Sequence, residues 1–74
     1  MKNMRTPLHT AIVELLAKNP SGLTDVEIYE KLKEQYEELS FNQLMKILLK
    51  LEINGIVRVT RYQKDTLKVE LLTE

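Results

Sequence analysis

Apolar positions along this chain follow two periods, and the switch between them divides it. Leu8, Ile12, Leu15 and Leu16 recur at i, i+4, i+7 and i+8, one face of an amphipathic helix. Thr6 before Pro7 predicts an N-cap followed by proline at the first helical position. The helix is expected to end near Lys18, because Asn19 precedes Pro20 and is steered out of α space. A second helix, from about 25 to 36, is announced by the capping box of Thr24 and Glu27, with Leu23 and Ile28 in the hydrophobic-staple positions. Its buried face is Ile28, Leu32 and Tyr36, flanked by Tyr29. The same signature recurs at Ser40 and Gln43, with Leu39 and Leu44 as the staple pair. It predicts a break over Glu37-Glu38-Leu39 and a third helix from about 41 to 53. One continuous helix from 25 to 53 is the competing reading, and two stacked capping signatures argue against it. Gly55 closes the third helix as its left-handed C′ residue.

After Gly55 the period changes from 3.6 to 2. Val57 and Val59 alternate with Arg58 and Thr60, and Leu67, Val69 and Leu71 alternate with Lys68 and Glu70. The polar stretch Tyr62-Gln63-Lys64-Asp65 lies between, so the pattern predicts a two-stranded hairpin. An isolated hairpin is marginal and must pack on the helices. A short third strand at Gly22-Leu23 would extend it. The order of elements is that of an α+β winged helix: a three-helix helix-turn-helix core with a C-terminal two-stranded β-hairpin wing. The second helix of the turn unit is the candidate recognition helix. Residues 1–74 are read as a single domain.

The stretch from Gly22 to Val59 resembles the DNA-binding domain of the ferric uptake regulator family. The matching residues are Leu23-Thr24, Glu27-Ile28-Tyr29-Glu30-Lys31-Leu32, Leu39-Ser40, Leu48, Leu51-Glu52 and Gly55-Ile56-Val57. Most are caps and core, so they speak for the fold more than for the family. The resemblance implies a winged-helix module. That family carries a metal-binding dimerisation domain after the wing, whereas this sequence ends at Glu74 with no Cys and one His. Metal-dependent repression is therefore not implied. Where the family presents Thr-Val-Tyr-Arg on the recognition helix, this chain has Gln43-Leu44-Met45-Lys46. Lys46 keeps the charge of Arg without its bidentate fork, and Met45 cannot hydrogen-bond a base.

Composition bounds the possibilities further. Leu, Ile, Val and Phe fill 24 of 74 positions, well above the level of roughly 20% associated with disorder. A chain this short buries only about 60% of its unfolded surface, which leaves little core for a catalytic cleft. No apolar run approaches the roughly 18 residues of a membrane span. The start, Met1-Lys2-Asn3-Met4-Arg5, lacks a signal-peptide core, so a cytoplasmic protein is expected. Absence of Cys excludes disulfides and thiolate chemistry. His9 has no companion ligand. Ser21, Thr24 and Ser40 serve turns and caps, and no glycine-rich phosphate loop exists. No cofactor, metal or catalytic constellation is expected, and the chain is not read as an enzyme.

Eleven basic residues balance eleven acidic ones, for a formal net charge of zero. A nucleic-acid binder usually announces itself by a basic balance. The charges are segregated, however. Residues 1–24 are net +2, residues 25–38 net −4 and residues 39–74 net +2. The third helix and the wing are thus basic. Asn42 and Gln43 suit adenine edges, and Lys46 and Lys50 suit guanine or phosphate. Arg58, Arg61 and Lys64 would clamp phosphates, with Lys68 nearby, and Tyr62 is the aromatic placed for ligand contact. The bland reading of these residues is a solvated charged surface. Glu37 and Glu38, in the turn, count against DNA.

The third helix has a second peculiarity: eight of its thirteen residues are apolar. Leu44, Leu48 and Leu51, with Ile47, suffice for a core. Phe41, Met45, Leu49 and Ile53 form another stripe at i+4 spacing. Either the stripe packs under the wing and first helix, or it is a protein interface, most simply of a homodimer. The reading that follows is a sequence-specific DNA-binding transcriptional regulator, a homodimer on double-stranded DNA. The alternative is a winged helix used for protein–protein contact in a larger replication, transcription or membrane-remodelling assembly.

Overall fold

The computed structural model describes residues 6–72. Three helices, α1 (Leu8–Ala17), α2 (Asp25–Lys33) and α3 (Phe41–Ile53), pack against a sheet of β1 (Leu23–Thr24), β2 (Val57–Gln63) and β3 (Thr66–Leu71). This is the winged-helix arrangement, with a helix-turn-helix in α2 and α3. The sheet is antiparallel, in the order β1-β3-β2. The wing hairpin therefore gains a third strand, one residue later than the sequence pattern places it. Leu23 pairs with Val69 and Thr24 with Lys68. Thr24 then serves twice, as the end of β1 and as the N-cap of α2.

Both capping boxes form as expected. The Thr24 hydroxyl accepts from the Glu27 amide while Glu27 Oε1 accepts from the Thr24 amide, and Ser40 and Gln43 do the same for α3. The chain breaks between α2 and α3, so the single long helix is excluded. Gly55 has φ +76°. Its amide donates to Glu52 and that of Ile56 to Leu51, which closes α3.

Two boundaries differ from the pattern. Pro7, with φ −54° and ψ 145°, is itself the N-cap of α1, and no side chain caps that end. The Pro7 carbonyl accepts the first helical bond, from Ala11. Thr6 lies one residue too early, and its carbonyl instead accepts from the Tyr36 hydroxyl. Helix α2 ends at Lys33 rather than near 36. The Lys33 ammonium folds back to the carbonyls of Glu37 (2.7 Å) and Leu39 (2.9 Å), which satisfies acceptors that a continuing helix would have used internally. Tyr36, the last residue of the expected α2 face, still turns inward and is buried.

The core joins all elements. Ile12 and Leu16 of α1, Ile28 and Leu32 of α2, Leu44, Leu48 and Leu51 of α3, and Val57 and Val69 of the wing are buried together with Leu23, Tyr36 and Leu39. Burial of the wing valines supplies the support that an isolated hairpin lacks. Among the described residues, Asp25 is the one buried charged side chain. It occupies the first turn of α2, where a carboxylate is favoured by the free amides, and its Oδ1 accepts from the Val26 amide at 2.8 Å.

Candidate nucleic-acid interface

Helix α3 is held at both ends. Its N-terminus is fixed by the Ser40 cap and by the turn that Lys33 ties down. Tyr29 of α2 supports the same corner: its hydroxyl donates to the Leu39 carbonyl at 3.3 Å, and its ring meets Phe41 edge-on at 5.5 Å between centroids. The Lys33 ammonium lies 5.7 Å from that ring. Neither Lys33 nor Tyr29 is legible as a turn brace in the sequence, because their partners are backbone carbonyls, four and six positions away for Lys33 and ten for Tyr29.

With Leu44, Leu48 and Leu51 directed into the core, the opposite face of α3 presents Asn42, Lys46 and Lys50 to solvent, with Gln43 at its side. Gln43 is only half available, since its Oε1 already accepts from the Ser40 amide at 2.9 Å. Bidentate pairing with adenine needs both the oxygen and the nitrogen of the amide. It would therefore compete with the capping box, and what remains free is the donor group.

The wing residues do not share one surface. Antiparallel pairing sets Arg58 beside Glu70 and Thr60 beside Lys68, on the face opposite the row of buried Val57 and Val69 and half-buried Val59. Arg58 makes a weak ion pair with Glu70 there, at 4.0 Å. An irregularity between Arg61 and Gln63 leaves Tyr62 without a partner in the register, the mark of a bulge. Tyr62 is exposed and the Lys68 ammonium lies 5.9 Å from its ring. Arg61 and Lys64 meet at the tip, where Arg61 Nη1 donates to the Lys64 carbonyl at 3.5 Å. The tip thus gathers Arg61, Tyr62 and Lys64, while Arg58 stands apart with an acidic neighbour.

The apolar stripe of α3 is not hidden under the wing or α1. Each i+4 step advances about 40° around a helix, so the stripe spirals away from the core. Phe41 rests against Tyr29, and Met45 is half-buried. Leu49 is 51% exposed and Ile53 82% exposed. Of the two alternatives for the stripe, packing of Leu49 and Ile53 under the wing and α1 is excluded by this drift. They lie instead on the same outer face as Asn42 and Lys46.

Among the described residues, no three His, Cys, Asp or Glu side chains are gathered where they could hold a metal ion. No helix among them is long and apolar enough to cross a membrane. The model of the ferric uptake regulator family matches residues 2–74, nearly the whole chain. No curated protein matches it.

Proposed function

The chain belongs to the ferric uptake regulator family, whose members are DNA-binding transcriptional regulators, and on that premise we propose that it reads double-stranded DNA sequence-specifically with α3 in the major groove. The observation that carries this reading is the outer face of α3: Asn42, Lys46 and Lys50 are exposed on the second helix of the turn unit, with the Gln43 amide nitrogen beside them. Asn42 and Gln43 contact base edges, and Lys46 and Lys50 reach guanine or phosphate. Arg61, Lys64 and Tyr62 at the wing tip hold the backbone, and Arg58 joins them by releasing Glu70. The protein acts in the cytoplasm as a homodimer, because two half-sites give a small, neutral module the affinity that one lacks.

Binding to a set of duplexes, measured against salt, tests this. With about four phosphates neutralised per protomer, and so about eight per homodimer, the slope of log affinity on log salt is about −7. Lys46→Ala and Arg61→Ala, each present twice in the dimer, should each flatten it by about 2. Absence of binding even at low salt would sink the proposal. Sedimentation tests the homodimer, and a monomer at high concentration both free and on DNA removes that part.

A second reading is favoured by one observation, the exposure of Leu49 and Ile53. Together with Phe41 and Met45 they offer an apolar face to a protein partner. Under that reading, Leu49→Glu abolishes partner capture while DNA binding is absent from the start.

A further inference from the structure

A cleft of about 370 Å³ opens between the start of α1, the α2–α3 turn and α3. Its apolar walls are Leu8, Leu39, Ile47 and the ring of Tyr36, and the Gln43 side chain adds a neutral polar group. Leu39 and Tyr36 are buried and belong to the core, so the floor is fixed by the fold. Two charges of opposite sign also line it, Glu38 from the turn and Lys46 from α3. Both side chains are exposed, and neither lies within ion-pair distance of an opposite charge among the described residues. An apolar cleft with a few convergent polar groups is the usual form of a small-ligand site. Here the groups are one anion, one cation and the neutral Gln43 amide flanking an apolar floor.

We propose that this cleft binds a free α-amino acid with an apolar side chain. Its carboxylate meets the Lys46 ammonium, its ammonium meets the Glu38 carboxylate, and its side chain lies on Leu8, Leu39 and Ile47. Charge complementarity selects the zwitterion: an apolar acid leaves Glu38 unmatched, and an apolar amine leaves Lys46 unmatched. For a ligand of this size and an open site, a dissociation constant on the order of 1 mM is expected. The bound ligand takes Lys46 out of the α3 surface. It thereby becomes an effector that weakens DNA binding, a consequence that rests on the DNA-binding reading above, whereas the binding itself does not.

The test is therefore run without DNA. L-leucine, L-methionine and L-phenylalanine are titrated into the full chain, and binding is followed by backbone amide shifts in NMR. The expected result is saturable shifts of Leu8, Leu39 and Ile47 with at least one of the three, weakened at least tenfold for the matching side chain carried by a simple carboxylic acid or a simple amine. Lys46→Met and Glu38→Gln should each weaken binding at least tenfold while leaving the circular dichroism spectrum unchanged. No saturable shift with any of the three at about ten times the expected dissociation constant overturns the proposal. Equal binding of the deaminated or decarboxylated analogue overturns it too, and because that comparison uses the unaltered protein, it holds whatever the variants do to folding. Saturable binding that leaves an existing DNA complex unaffected keeps the site standing and overturns the effector role, and absence of any DNA complex counts against the DNA reading alone.

Discussion

At the scale of single residues, the two glycines separate conformation from space. Gly22 (φ +94°) and Gly55 (φ +76°) both occupy backbone conformations that side chains rarely adopt. Around Gly55 an added Cβ meets nothing within 4 Å, whereas at Gly22 it would lie 2.8 Å from Glu70 Cγ and 3.0 Å from the Val69 carbonyl. The first contact is with a flexible side chain, but the second is with the backbone of the central strand. Gly55→Ala is expected to cost about 1 kcal/mol, the conformational term alone. Gly22→Ala should cost about 2–3 kcal/mol, because β1 must also move away from β3. Urea unfolding of the two variants checks the order, and equal losses would show that the Gly22 contact relaxes freely. The sequence marks both glycines as turn residues. Only the pairing of β1 with β3 distinguishes them.

At the scale of elements, α2 and α3 are joined by interactions of two kinds. The caps are local and therefore readable: Ser40 and Gln43 are three residues apart and form the box that their spacing implies. The brace is not local. Lys33 spans the turn to the Glu37 and Leu39 carbonyls, and charge-assisted bonds of this kind are worth roughly 1.5–3 kcal/mol before solvent exposure is allowed for. Lys33→Met keeps the apolar stem and removes the donors. It is expected to lower stability by about 1 kcal/mol, similar to the loss of the cap in Ser40→Ala. Both are measured by the urea midpoint at constant slope. A Lys33→Met effect below about 0.3 kcal/mol would assign the turn to Tyr29 and Leu39 instead. On the same helix, the exposure of Ile53 means that Ile53→Glu should change stability by less than about 0.5 kcal/mol. A larger loss would mean that Ile53 is covered by something, such as a second copy.

At the scale of the whole molecule, the balance of charge matters less than its distribution. The net −4 of residues 25–38 falls on α2 and its turn, whereas α3 and the β2–β3 wing together carry six basic against three acidic residues, net +3. The fold sets the two regions side by side, so DNA on α3 would pass close to the exposed Glu37 and Glu38. Glu37→Gln, chosen because Glu38 lines the cleft, is expected to strengthen duplex binding about threefold at low salt, with the gain fading as salt rises. A titration at two salt concentrations checks this, and a gain independent of salt would mean that the effect is not electrostatic. The order of elements, both capping boxes, the C-terminal glycine of α3 and most of the core were determined by the sequence alone. These features depend on neighbours a few residues apart and on the periods 3.6 and 2. Only the tertiary structure decided what joins distant segments: the third strand, the Lys33 and Tyr29 braces, the pairing of Arg58 with Glu70, and the placing of Lys46 and Glu38 on the walls of one cleft. It also decided the outward turn of Leu49 and Ile53. An i+4 apolar stripe gives the spacing of side chains around a helix, and packing alone determines which part of that circumference the rest of the molecule covers.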